Sequence, residues 1–231
     1  MALFHNHNDA VRLLLAARAQ LAGGIQPGMV YAAAADNAEG IRLLYAHGGD
    51  CRAHHLFGYT ALDLAAALGS KGALEELLAQ SRWSGRELSF ALQCGVMNRG
   101  GTAEIVERLV MMRAELDFEY DPRRYLFRLG RLFMASKSLQ HSLGRATELT
   151  ANAYHIYGMT PLMGALQSAE HEAAASLIAK GARLDAKNRR GWMAKDFAGA
   201  SIPIWLQKGL LGDPRECARV TSLALHVQIT L

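Results

Sequence analysis

At 231 residues, the chain sets 25 lysines and arginines against 21 acidic residues for a formal charge of +4, and 51% of its residues are hydrophobic. So mild a surplus does not by itself specify a nucleic-acid partner, and no run of 18 or more apolar residues offers a membrane-spanning helix. The three cysteines, Cys51, Cys94 and Cys217, are odd in number and widely spaced. They support neither a disulfide framework nor a zinc knuckle, and fit a reducing, intracellular and cytoplasmic setting.

In chain order, residues 1–24 carry Arg12 and Arg18 around Leu13-Leu14-Leu15 with Asp9 as the one acid. They read as a capping half-repeat, with an organelle transit peptide as the competing reading. Repeated units fill residues 25–117. Met29, Ala32 and Ala33 mark a first helix, Ile41, Leu43 and Leu44 a second, and Gly48-Gly49-Asp50 closes it. The phrase is clearest from Gly58 to Leu78. There the turn Gly58-Tyr59-Thr60 leads into Leu62, Ala65 and Ala66, Gly69 breaks the helix, and Leu74, Leu77 and Leu78 follow. Small alanines suit the close approach of neighbouring first helices, and leucines at i, i+3 and i+4 bury the second. Trp83 to Asp117 repeats the pattern more loosely, with Leu88, Ala91, Leu92 and Gly95, then Ile105, Val106, Leu109 and Val110; Val96 to Thr102 overfills the turn between them.

Residues 118–150 depart from the period and are either an enlarged finger or an eroded repeat. From Pro122 to Thr147 there is no acid, while Arg123, Arg124, Arg128, Arg131, Lys137 and Arg145 are basic. Tyr125, Leu126, Leu129, Leu132 and Phe133 recur at helical spacing, and Arg124, Arg128 and Arg131 fall at i, i+4 and i+7. One amphipathic helix with a cationic stripe is therefore expected. The period resumes over 151–211. Thr160, Pro161, Leu162 and Ala165 begin a helix, Ala173, Ala174, Leu177 and Ile178 face the core from the next, and Gly181-Ala182 ends it. Gly191, 33 residues after Gly158, opens a last unit. Beyond Pro203 comes a closing helix at Ile204-Trp205-Leu206, and after Gly212-Asp213-Pro214 an apolar tail, 212–231, carries Leu223, Leu225, Val227 and Ile229 as a strand or helix.

The phrases Gly-x-Thr-Ala-Leu-Asp-Leu-Ala (58–65), Gly-x-Thr-Pro-Leu (158–162) and Gly181-Ala182 resemble ankyrin repeats, well matched over about 25–80 and 158–200. The resemblance implies an all-α solenoid of helix–turn–helix repeats with short β-turn fingers, interrupted by one basic insertion. It also implies a noncatalytic protein–protein interaction module, a scaffold or adaptor whose partner meets the fingers and the concave faces of the first helices. Three finger segments carry more than a structural turn needs: His54, His55, Phe57 and Tyr59; Tyr154, His155 and Tyr157; and Arg189, Arg190 and Trp192. Aromatic and arginine side chains dominate interface energetics, so these ten are candidate partner-binding residues. Phe57, Tyr157 and Trp192 equally suit packing between units, which leaves His54, His55, His155, Arg189 and Arg190 as the better surface candidates. Arg123, Arg124, Arg128 and Arg131 of the insertion suit an acidic protein surface or peptide.

No catalytic, cofactor or metal residue is expected. Nucleophile-elbow, Walker, H-E-x-x-H and dinucleotide-binding signatures are missing, and Asn98-Arg99-Gly100-Gly101 lacks the lysine and flanking strand of a phosphate cradle. His47, Cys51, His54 and His55 have ligand-like spacing, but a helix end followed by an extended turn would aim them apart. Cys94 reads as a small buried residue facing alanines and leucines. Two alternatives stand beside the interaction module, with the free chain expected as a monomer. One is a structural subunit docking through its apolar tail. The other is a binder of an anionic surface, nucleic acid or lipid, through the insertion, marked by steep salt dependence.

Overall fold

Threonine and serine caps define where the helices start. Thr60 heads a full capping box: its hydroxyl accepts from Asp63 N at 3.3 Å, and the Asp63 carboxylate accepts from Thr60 N at 2.7 Å. Ser84 and Glu87 repeat the device, and the hydroxyls of Thr102 and Thr160 cap two further helices. Each such cap is worth ~1 kcal/mol. The computed structural model describes residues 2–17, 28–98, 102–199 and 202–229, with side chains as far as 224. The expectations for Arg18, for Arg99-Gly100-Gly101 and for the side chains of Leu225, Val227 and Ile229 lie outside the described residues.

The helices form pairs after a first single one: α1 (Asn8–Ala16); α2 (Gly28–Ala34) with α3 (Ala38–Ala46); α4 (Ala61–Leu68) with α5 (Lys71–Gln80); and α6 (Gly85–Met97) with α7 (Ala103–Met111). Next come α8 (Pro122–Tyr125), α9 (Arg128–Ser142) and α10 (Glu148–His155). The pair α11 (Pro161–Gln167) and α12 (His171–Ala179) follows, then α13 (Ala194–Phe197), α14 (Ile204–Leu210) and α15 (Arg215–Ile229). First helices form one row, α2 on α4, α4 on α6 and α6 on α11; α1 packs on α3, α3 on α5, and α7 on α12. Leu62, Ala65, Ala91, Leu92, Leu162 and Ala165 are fully buried along the first row, in one hydrophobic core that runs from Val11 to Cys217. Salt bridges Arg42–Glu76 (2.6 Å), Arg108–Glu75 (2.6 Å) and Lys180–Glu107 (2.5 Å) lace successive second helices on the outer side.

α6 meets α11 and α7 meets α12 although the chain travels through three other helices between them. Ser168 Oγ donates to Met97 O at 3.1 Å, Ser176 Oγ to Glu107 at 2.8 Å, and Arg183 N to Asp117 at 2.8 Å across this seam. The intervening segment therefore stands outside the stack as an enlarged finger. Its base is closed by an isolated antiparallel bridge, Tyr120 N to Met159 O at 3.0 Å and Gly158 N to Tyr120 O at 2.8 Å.

Three expectations need correction. The insertion does not hold one amphipathic helix: Leu126 and Phe127 are extended, because Phe127 N donates to Phe57 O at 3.1 Å and Leu126 is buried. Arg124 thus belongs to α8, and Arg128 and Arg131 to α9. The overfilled turn at Val96 is partly helix, since α6 continues to Met97 with Val96 fully buried. Cys94 is buried, but among Phe90, Tyr120 and Ile156 rather than the alanines and leucines of the stack. The tail is a helix, α15, packed on α12 and α14.

The turn between paired helices needs a left-handed residue. Gly69 supplies it after α4 at φ 70°, but Ala169 holds φ 57° after α11. A Cβ in that region costs roughly 1–2 kcal/mol, more than the entropy a glycine adds to the unfolded chain. Ala169→Gly is expected to stabilise the protein by about 1 kcal/mol, or roughly 2–4 °C in a thermal melt; an unchanged or lowered midpoint would contradict this account of the turn.

Candidate partner-binding surface

Two glycines let the insertion lie against the first finger, backbone to backbone. Gly58 has φ 102°, and a Cβ there would stand 2.6 Å from Tyr125 O and 3.0 Å from Phe127 N. A Cβ on Gly130, inside α9, would stand 2.8 Å from Phe57 O. This approach presses an aromatic layer between finger, α6 and insertion: Tyr59 stacks on Phe90 (5.9 Å), Phe90 on Tyr125 (4.4 Å) and Phe57 against Phe133 (5.9 Å). Phe57 and Tyr59 are half-buried in this layer. His55 is half-buried against Phe57, while His54 is exposed, its ring edge-on to Phe127 at 5.3 Å.

The other finger candidates gather at a second place. Tyr154 and His155 are the last residues of α10 and not part of a finger turn, because the Thr147 cap starts a helix that reaches them. His155 is not a surface group either: it is 5% exposed, its ring packed on Trp192 (4.1 Å) and edge-on to Phe197 (5.2 Å), with Nδ1 unpartnered. Burial, reinforced by the charges of Arg190 and His141, lowers its pKa to about 4. Arg190 lies over the Tyr154 ring at 3.3 Å and donates to Tyr154 O at 2.6 Å. Arg189 lies over Tyr157, as does Arg123, and both reach Asp121 at 3.2 Å. Trp192 keeps 41% of its surface exposed.

Between the first finger and α8 lies a cleft of about 400 Å³ that brings together His54, Arg123 and Arg124. Arg52 and Arg86 also line it, and sequence reasoning missed both. A signal existed for Arg86: the Ser84/Glu87 capping box puts it in the first turn of a first helix, the end nearest the fingers. Arg52 is held by Glu87 at 3.0 Å and lies over Trp83 at 4.9 Å. Among the described residues, neither Arg86 nor Arg124 has an ion-pair partner, nor do Arg128 and Arg131 on α9. Asp63 also lines the cleft, and burial pushes its carboxyl up to about 7 against the lowering effect of its bonds to Thr60. Glu87 lines the cleft too, and against the raising effect of burial its pKa is held down by its bonds to Ser84 and Arg52, so four arginines face two acids, one of them buried. No group of three or more His, Cys, Asp or Glu among the described residues is placed to hold a metal ion. His47 Nδ1 bonds instead to Leu43 O at 2.8 Å, and burial raises the Cys51 thiol.

No protein-family model matches the sequence, and no curated protein matches it. Among solved structures, the chain is similar to the human ASB11 ankyrin repeat domain, with a TM-score of 0.51 and 20% identity over 91% of this chain and 94% of that one. At that identity the likeness is one of fold: the protein is an all-α helical repeat solenoid of the ankyrin type.

Two measurements check this geometry. In an ordinary helix Gly→Ala gains about 1 kcal/mol, yet Gly130→Ala is expected to lose stability and to speed tryptic cleavage at Arg124 and Arg128, because the methyl group meets Phe57 O. For His155 the folded pKa lies below the unfolded value near 6.5, so the unfolded chain takes up the proton first. Stability is complete above that value and falls as pH drops towards 4, by on the order of 2 kcal/mol. Urea titrations of His155→Phe are expected to show a flatter dependence between pH 6.5 and 4.

Proposed function

We propose that this chain is a noncatalytic scaffold or adaptor module that binds a protein partner through an acidic, extended segment seated in the cleft between the first finger and α8. The observation that carries the reading is convergence: His54 from the finger and Arg123 and Arg124 from the insertion, distant in sequence, line one cleft with Arg86, and among the described residues Arg86 and Arg124 have no ion-pair partner. Exposed arginines without an ion-pair partner are free to bind carboxylates in bidentate fashion and steer acidic partners electrostatically. Trp192, Arg189 and Arg190 form a second exposed patch that would extend the contact along the fingers. An intracellular, reducing location belongs to the same proposal, supported by three buried cysteines that are all free.

One observation favours the structural-subunit alternative. α9 leaves Leu132 (68%), Leu139 (60%) and its C-cap Leu143 (74%) exposed in the free chain, and a permanent neighbour in a larger assembly would cover them.

The test is affinity capture with mass spectrometry, comparing the native chain with the Arg86→Ser/Arg124→Ser double variant, alongside anisotropy titration of a labelled hexa-glutamate peptide. The double variant is expected to lose a defined protein and to bind the peptide at least tenfold more weakly, with an unchanged circular dichroism spectrum. A partner retained equally by both proteins would move the contact to Trp192 and Arg190. Recovery of nucleic acid or lipid alone, with binding that falls steeply with salt, would replace the proposal with an anionic-surface binder.

A further inference from the structure

α6 carries Gln93 into the interface between the stack and the α9–α10 hairpin. Its side chain is fully buried, and neither its amide oxygen nor its amide nitrogen has a hydrogen-bond partner. Native interiors rarely leave one such atom unpaired, let alone both ends of one amide. Gln93 lines a cavity of about 130 Å³ whose walls include Phe57, Phe90, Tyr120 and Phe133. Asn152 of α10 lines it from the hairpin side, and its buried amide oxygen is likewise unpartnered. The polar groups are thus orphaned on both walls of a space lined mostly by aromatic and other apolar side chains.

We propose that this cavity is a binding site for a small, neutral, planar ring compound carrying a carboxamide or lactam edge. Three features select that chemistry. An unpartnered primary amide offers a donor and an acceptor side by side, and the group that satisfies both at once is another amide edge. No Asp, Glu, His, Lys or Arg lines the cavity, and burial raises the pKa values of Tyr59, Cys94 and Tyr120, so a charged ligand would be desolvated without compensation. The volume is close to the roughly 150 Å³ that accommodates a benzene ring in an apolar protein cavity, and flanking aromatic faces favour a flat ligand. The cavity shares Phe90 and Leu126 with the basic cleft but none of its arginines, and does not depend on the identity of any protein partner.

The experiment is ligand-observed NMR and calorimetric titration of the full chain with benzamide, benzoate and toluene, repeated on Gln93→Leu and Asn152→Leu. Benzamide is expected to bind the native chain with a Kd of about 1 mM or tighter, benzoate at least tenfold more weakly, and benzamide affinity to fall at least tenfold in Gln93→Leu while toluene binding is kept or improved. Absence of saturable benzamide binding to the native chain would overturn the proposal and leave the cavity to water. Equal benzamide affinity in native and Gln93→Leu proteins would overturn it as well. If Gln93→Leu does not fold, Asn152→Leu, which leaves α6 untouched, decides by the same criterion.

Discussion

Direct packing of α6 on α11 is the constraint from which the rest of the molecule follows. It requires backbone-close contact on both sides of α6. A Cβ on Gly95 would stand 3.3 Å from Ala66 O of α4, and one on Gly164 of α11 would stand 3.0 to 3.2 Å from Gln93, Val96 and Met97. With glycine at both places, four helix pairs share one core, and the stack closes over the point where the chain departs for the insertion. A segment excluded from the stack in this way leaves and returns on the finger side, because the fingers are where successive units connect. Its position against the first finger and α6 is thus a consequence of how tightly the repeats close behind it.

That placement changes what the finger residues are for. In a bare solenoid, Phe57 and Tyr59 would face a partner; here they support Phe133, Phe90 and, through them, Tyr125. In the proposed function the surface for recognition lies further out, on charged groups that the aromatic layer positions without neutralising. Arg123 and Arg189 share Asp121 and are partly spent, and Arg52 is committed to Glu87. Arg86 and Arg124 remain, which is why electrostatic recognition of an acidic segment is the reading the geometry supports best.

Local chemistry made the units legible in the sequence. Thr60 and Thr160 cap helices through their own hydroxyls, Gly69 supplies its own left-handed turn, and alanine marks close approach, so each signal sits within a few residues of its effect. What was not legible depended on residues far apart. The helix break at Leu126-Phe127 comes from a bond to Phe57, which no local propensity announces, and the pattern of Tyr125 to Phe133 fits a continuous helix equally well. Tyr154 and His155 looked like finger residues because the aromatic run continues into Tyr157, although the Thr147 cap, with its side chain bonded to Thr150 N, was there to be read as a helix start. Gln93 gave no signal: on sequence alone a glutamine among leucines and alanines belongs to the solvated face of its helix.

The stability of the molecule is unevenly distributed, and the proposed cavity is walled in part by its weaker end. The stack buries the leucines and alanines of four helix pairs, whereas α9 contributes Gly130 as its one fully buried residue. The hairpin is therefore held by a few backbone bonds, its pairing with α10 and one aromatic layer, and segments with little buried apolar surface are the ones that open locally without global unfolding. The aromatic cavity uses this hairpin as a wall, whereas the basic cleft is walled by α8 and Leu126-Phe127; the two share Phe90 and Leu126. Opening the hairpin would dismantle the cavity wall while leaving the repeats intact. A ligand seated in the cavity binds the closed form, and so must stabilise it by the free energy of its own binding.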